Sequence, residues 1–302
     1  MSQQIRLLIL LSRPLFLLGG FLVYGLGAGI ANYLGASIDW SMYVLGQAYV
    51  TTMQLSAQYL NEYFDAPADQ ENTTRTPFSG GSGVVGEGKL SRETVMWAAL
   101  TTLTILASLT VVLISTVPIS PILVGIVVLA FLGSFFYSVP PVKLANSGYG
   151  ELTTSFLVAN LVPIFAFILQ YSELHRLLVM TTFPLTALHL AMMISFEFPD
   201  YLNDIKFEKF TLLARVGWER GMILHNILIL TAFLLLVLAA TFGLPLAIVL
   251  PAFIPFPLGI LQIWQMRRIA SGGKPNWTTL GLTSVVLFGS VAYLLAFAFW
   301  IR

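Results

Sequence analysis

Residues 58–93 read QYLNEYFDAPADQENTTRTPFSGGSGVVGEGKLSRE. The stretch begins at the end of a long apolar run and holds six of the chain's fourteen acidic residues: Glu62, Asp65, Asp69, Glu71, Glu87 and Glu93. Asn61, Asp65 and Asp69 stand four residues apart, a step that keeps side chains on one helical face. One Asn and two Asp on a face suit a hard divalent cation, because Mg²⁺ takes oxygen ligands and keeps waters that a phosphate can displace. Pro67 disfavours a helical Ala66, so the helix is expected to end near Asp65, with Asp69 in the following loop.

Upstream, Gln47, Gln54, Gln58, Asn61 and Asp65 recur at helical steps along an otherwise apolar segment. In lipid such a stripe must face protein or a wet cavity. Because it runs straight into the acids, a cavity wall is the preferred reading over simple interhelical bonding. A second acidic cluster occurs in FEFPDYLNDIKFEKFTLLARVG, residues 196–217, where Asp200, Asp204 and Glu208 repeat the four-residue step after another long apolar run. The two clusters are expected to share one site.

The class follows from composition. Of 302 residues, 57% are hydrophobic and 10% charged, with a mean hydropathy of +0.85; soluble domains carry about 25% charged residues. The chain therefore reads as an all-α polytopic membrane protein, since lipid admits only helices or closed barrels and the apolar runs are continuous rather than alternating. It is expected to form a single membrane-embedded domain over residues 1–302. A net charge of +1 gives no electrostatic footprint for nucleic acid, and no nucleic-acid partner is expected. The absence of cysteine excludes disulfide and thiolate chemistry. The N-terminus has a short basic start followed by a long apolar run, which is expected to be a retained first helix and not a signal peptide.

Nine spans are expected, near 14–34, 41–63, 95–116, 119–138, 150–171, 178–199, 221–243, 245–265 and 277–300. With the N-terminus inside and the C-terminus outside, every Lys and Arg except Arg176 and Arg302 falls on the inner side. The positive-inside rule then puts both acidic loops on the cytoplasmic face. The clusters follow spans 2 and 6, four spans apart, which implies two pseudo-repeated four-helix units in parallel topology plus one further helix.

A third segment, YSVPPVKLANSGYGE at 137–151, ends span 4 with two prolines and returns through Gly148 and Gly150. By itself it is an ordinary turn with a snorkelling lysine. Together with NEYFDAPAD and PDYLNDIKFEK, however, its order and spacing resemble the UbiA superfamily of intramembrane aromatic prenyltransferases across nearly the whole chain. FSGGSGVVGEGKLS and FEFPDY resemble the branch that acts on 1,4-dihydroxy-2-naphthoate, and the Arg-Pro-Leu of the hydroxybenzoate and haem branches is absent. Where the naphthoate branch continues Gly-Lys-Arg-Thr-Leu, this chain has Glu208-Lys209-Phe210-Thr211-Leu212, one basic residue fewer and one acid more.

The resemblance implies transfer of a polyprenyl group from a polyprenyl diphosphate to an aromatic acceptor within the lipid bilayer. Mg²⁺ as cofactor would be held by Asn61, Asp65, Asp200 and Asp204, the residues expected to carry catalysis, with Asp69 and Glu208 as further ligands. Arg75, Lys143 and Lys209 would contact phosphate oxygens, with Tyr137 and Ser138 as hydrogen-bond donors. Gln58 would line the cavity, Glu197 would meet the acceptor, and Gly80 and Gly81 would let the loop close over both substrates. His189 is expected to be a hydrogen-bonded core histidine. Hydroxybenzoate, homogentisate and glycerol phosphate lipids stand as alternative acceptors. A cation-coupled transporter is the alternative from another class, against which the acids lie at span ends rather than at mid-membrane breaks.

Overall fold

The computed structural model describes residues 3–85, 87–118, 120–171 and 173–302, and among these every regular element is a helix. Gly86, inside the glycine loop, and Ile119, the expected start of span 4, lie outside the described residues. A short helix α1 (Gln3–Leu11) precedes α2 (Pro14–Tyr33), α3 (Trp40–Gln70), α4 (Arg92–Thr116) and α5 (Pro121–Ser138). The fifth span is α6 (Gly150–Phe156) and α7 (Val162–Ile168), joined by a π-helical turn at Leu157–Leu161. Pro163 accounts for that turn, because it offers no N–H to the carbonyl one turn before it. Then come α8 (Arg176–Glu197), the short α9 (Tyr201–Lys206) and α10 (Leu212–Val216), and α11 (Trp218–Thr241). The chain ends with α12 (Leu246–Ala252), α13 (Phe256–Ala270) and α14 (Trp277–Trp300).

Eight of these helical segments, with α6–α7 and α12–α13 each counted as one, are long and apolar enough to cross a membrane. The ninth expected span is α3, whose 31 residues extend about 46 Å at 1.5 Å per residue; its polar stripe keeps it out of the apolar set. Large apolar side chains cover the outside: Val44 is 64% exposed, Leu234 57% and Leu250 62%, as lipid-facing positions should be. Inside, α2 packs against α7 and α14, and α3 packs along α4 as α8 packs along α11. That equivalence, span 2 on span 3 and span 6 on span 7, repeats between the halves. At Gly27 a Cβ would run into the Pro163 backbone, so glycine is what lets α2 cross α7 this closely.

The sequence places the end of α3 too early. The helix runs through Pro67 to Gln70, which leaves Asp65 and Asp69 on one continuous face. Pro67 deprives the Tyr63 carbonyl of its usual partner. The Arg92 guanidinium, reaching in from the start of α4, supplies it with a 3.0 Å hydrogen bond while lying 4.5 Å over the Tyr63 ring. Hence Arg92→Met should loosen the last turn of α3, lowering stability by about 1 kcal/mol. A drop in Tm and faster proteolysis after Gln70 would report this, and an unchanged rate would separate Arg92 from the helix extension.

Candidate active site

A cavity of about 560 Å³ lies between the two halves of the bundle. One end is polar and the rest is apolar, lined by residues such as Val50, Met53, Ile126, Leu161 and Val285. The α3 stripe forms one wall of the polar end through Gln54, Gln58, Asn61, Asp65 and Asp69. Asp200, Asn203, Asp204 and Lys209, from the segment that follows α8, form the facing wall.

The two walls are tied across the gap. Lys209 Nζ donates to Asp65 Oδ2 at 2.8 Å, and the same oxygen accepts from Asn61 Nδ2 at 3.0 Å. Asn72 Nδ2 donates to Asp200 Oδ1 at 2.8 Å, and the Gly80 amide also donates to Asp200. Asn203 Nδ2 donates to the Ala68 carbonyl at 3.1 Å, Thr74 Oγ1 to the Pro199 carbonyl at 2.5 Å, and Lys206 pairs with Glu71. One cluster is thus built from two segments about 130 residues apart in sequence.

The glycine loop caps this end. Gly80, Gly81 and Gly83 have φ of +73°, +72° and +74°, a region that favours glycine. Any Cβ on Gly81 would meet the Asp69 carboxylate. Glu62, three residues before Asp65 and also on the cavity wall, pins the loop by accepting from the Ser82 amide at 2.5 Å and the Ser82 hydroxyl at 2.7 Å. Arg13 lies 3.5 Å from the same carboxylate and lines the cavity, with its Nη2 buried and without a partner among the described residues. Three rings stand beside them on the cavity wall. Phe78 stacks on Phe196 with centroids 5.7 Å apart, and Phe16 meets Phe196 edge-on at 5.9 Å.

At the polar end the acids outnumber the two cations, Lys209 and Arg13. Burial pushes the Asp204 carboxyl up to about 7; the ammonium of Lys209 opposes the shift, and the charges of Asp200 and Asp65 add to it. Burial also raises Asp200, against the hydrogen bond from Asn72. Burial disfavours the charge on Lys209, but Asp65 and Asp204 together outweigh it and hold its pKa well above the ordinary value. Asp65, Asp69, Asp200 and Asp204, buried or partly buried and facing only these two cations, form a donor set that fits added cations. Acids on two facing walls suit Mg²⁺ ions held by one or two carboxylates each, with water and phosphate oxygens completing the shell.

Eleven of the expected site residues line this cavity: Gln58, Asn61, Asp65, Asp69, Gly80, Gly81, Tyr137, Glu197, Asp200, Asp204 and Lys209. Four lie elsewhere. Arg75 is engaged within its own loop, at 2.9 Å from the Ser82 carbonyl and 2.6 Å from Glu87. Lys143, in a left-handed turn with φ +42°, sits 5.7 Å from the Phe64 ring. Ser138 follows Tyr137 on the helix and is turned away from the cavity by one residue's rotation, its buried hydroxyl unpartnered among the described residues. Glu208, at φ +53°, is exposed at the bend that delivers Lys209.

Glu62, Arg13, Asn72, Asn203 and Glu151 escaped the sequence reading as site residues, because tertiary contact and not periodicity brings them here. Glu151 did stand in the quoted GYGE, which was its only signal. His189 is buried, bonded to Ser155 Oγ at 3.0 Å, and touches the cavity.

A family model described as the UbiA prenyltransferase family matches residues 21–285. The chain is 25% identical over 280 residues to the 1,4-dihydroxy-2-naphthoate octaprenyltransferase of Mycobacterium tuberculosis (strain ATCC 25618 / H37Rv), covering 90% of each. Its fold matches that of a UbiA homologue from Archaeoglobus fulgidus bound to GPP and Mg²⁺, with a TM-score of 0.67 at 16% identity, over 96% of this chain and 99% of that one. A UbiA homologue from Aeropyrum pernix K1 in its apo form gives a TM-score of 0.60 at 12% identity, over 91% and 96%.

Proposed function

Because the chain belongs to the UbiA prenyltransferase family, we propose that this integral membrane prenyltransferase transfers a polyprenyl group to 1,4-dihydroxy-2-naphthoate, on the route to menaquinone or phylloquinone. The observation that carries the reading is the cavity itself. Acids from α3 and from the segment after α8 meet at one end of it, and an apolar channel for an isoprenoid tail leads away.

Asn61, Asp65, Asp69, Asp200 and Asp204 would hold Mg²⁺, which when bound supplies the positive charge that a departing diphosphate needs. Lys209 and Arg13 bring cationic N–H groups to the same end, suited to phosphate or carboxylate oxygens. Tyr137 offers its hydroxyl there. Phe16, Phe78 and Phe196 present rings to the allylic carbon, where cation–π attraction contributes about 0.5–2 kcal/mol per ring. The allylic C–O bond breaks with its electron pair leaving on the diphosphate. Electrons of the acceptor ring then form the new C–C bond, and carbon dioxide departs from the same ring carbon, returning its bonding pair to the ring. The acceptor's electron-rich dihydroxy ring is the nucleophile this chemistry needs, and likeness to the mycobacterial naphthoate enzyme supports it. A competition assay, in which 4-hydroxybenzoate, homogentisate, a glycerol phosphate ether and dihydroxynaphthoate are offered together, tests the acceptor. Prenylation of any other member in preference to dihydroxynaphthoate would refute the assignment.

The glycine loop keeps water from the cation. Gly81→Ala forces a left-handed residue, at about 1–2 kcal/mol, and drives a methyl group against Asp69. Turnover should fall at least about tenfold, and the fraction of diphosphate lost to hydrolysis should rise. Wild-type partitioning between transfer and hydrolysis would contradict the loop's role.

The charge bias further supports a polar end at the cytoplasmic face, with the N-terminus inside and the C-terminus outside. Single cysteines at the exposed positions Leu202 and Lys274 should be labelled only from the cytoplasmic side and one at Glu173 only from the other. The chain has no cysteine of its own to interfere. Labelling of Leu202→Cys and Glu173→Cys from one side would contradict the topology.

A further inference from the structure

Two glutamates on the cavity wall belong to neither acid motif. Glu151 lies in the first turn of α6 and Glu197 in the last turn of α8. Both are buried, at 3% and 9% exposure, and both line the cavity. Their side chains meet where α6 packs on α8. Glu197 Oε2 is further fixed by the Leu213 amide at 2.9 Å. Glu151 Oε2 is different: it is buried and has no partner among the described residues. A buried carboxyl oxygen left unpaired costs about 1–3 kcal/mol, and at a cavity wall this cost is relieved by a ligand that donates.

We propose that the Glu151–Glu197 pair is the subsite that accepts a hydrogen bond from a ring hydroxyl of the aromatic acceptor. This inference rests on the acceptor being a hydroxylated ring, as proposed above. The pair's chemistry selects the group it takes. It has an unpaired acceptor oxygen to offer and no donor or cation of its own, so it suits an O–H and not a carboxylate. An acceptor that carries both groups therefore enters with its hydroxyl toward Glu151 and its carboxylate away. A hydroxyl donating to a carboxyl group also releases electron density into the ring, which raises the nucleophilicity of the ring carbons conjugated with it. Glu151 is accordingly a specificity-determining residue for the transfer. The pair is separate from the Asp65–Asp204 set in role, because Glu197 Oε2 is already engaged with the Leu213 amide.

The test compares the full-length protein in detergent with its Glu151→Gln variant. It measures equilibrium binding of the hydroxylated ring that the wild type prenylates and of the same ring with the hydroxyl methylated, together with the KM for prenyl diphosphate and the Mg²⁺ concentration giving half-maximal rate. The wild type should bind the hydroxyl form at least about tenfold tighter than the methyl ether, since a site built to receive a hydroxyl rejects an analogue that lacks it. In Glu151→Gln that preference should collapse, with the diphosphate KM and the Mg²⁺ requirement unchanged. Retained preference in a folded variant would overturn the proposal. So would a tenfold change in the Mg²⁺ requirement, which would make the pair part of the cation site. If the variant does not fold, the wild type still decides, because equal binding of hydroxyl and methyl ether overturns the subsite. Transfer to a hydroxylated ring other than naphthoate would sink the acceptor assignment alone, whereas absence of transfer to any hydroxylated ring would sink both.

Discussion

Asp65→Asn and Asp204→Asn should each lower turnover about 10³-fold, in line with the loss of a preorganised charge at a transition state, while leaving the protein folded. Departure of diphosphate leaves negative charge on the phosphate oxygens, and that charge must be met by cations held by these carboxylates. Asn keeps the shape and one acceptor oxygen, so the hydrogen bonds from Asn61 and Lys209 to position 65 retain a partner. At position 204 the neutral amide also relieves repulsion from Asp200 and Asp65, so Tm should hold or rise. Parallel measurement of kcat and Tm checks both halves. Near-normal turnover of either variant in saturating Mg²⁺ would remove that residue from the site.

The second large effect is expected from Lys209→Met. Lys209 is the ammonium between the two acid walls, bonded to Asp65 and electrostatically coupled to Asp204. Breaking a partly buried ion pair by removing one member leaves the other charges uncompensated, and about 3 kcal/mol of stability is at stake. Methionine matches the lysine stem in length, which isolates the charge. The variant should therefore lose stability in EDTA and regain most of it in Mg²⁺, because added cations take over the neutralising role. Turnover should fall about 10²-fold even at saturating Mg²⁺, since the contact to phosphate oxygen proposed for Lys209 is also gone. Thermal unfolding with and without Mg²⁺ distinguishes this from simple loss of packing, which would leave the deficit equal in both conditions.

Much of this architecture is visible in the residues because lipid leaves the chain few options. A run of about 20 apolar residues must become a helix, and the observed helix α8, Arg176–Glu197, lies within two residues of the expected span. The acid motifs were legible for a related reason: carboxylates at a four-residue step in so apolar a chain have few roles other than function. What escaped notice depended on distant partners. The continuation of α3 past Pro67 depends on Arg92, 29 residues from the carbonyl it serves. Arg75 read as a phosphate ligand because its pairing with Glu87 across the loop has no periodic signature. Glu62 looked like one more acid, yet it holds the Ser82 turn in place. The meeting of Glu151 with Glu197 joins α6 to α8 and could be seen only once both were packed.

The most direct test of the central claim is a product measurement. Purified protein is mixed with a labelled polyprenyl diphosphate and 1,4-dihydroxy-2-naphthoate, with Mg²⁺ or with EDTA, and the lipid-soluble products are identified by mass spectrometry. The account predicts a decarboxylated, C-prenylated naphthalenediol with Mg²⁺, none with EDTA, and from Asp65→Asn with Mg²⁺ only about a thousandth of the wild-type rate. Equal product in EDTA, or product from Asp65→Asn at the wild-type rate, would contradict it.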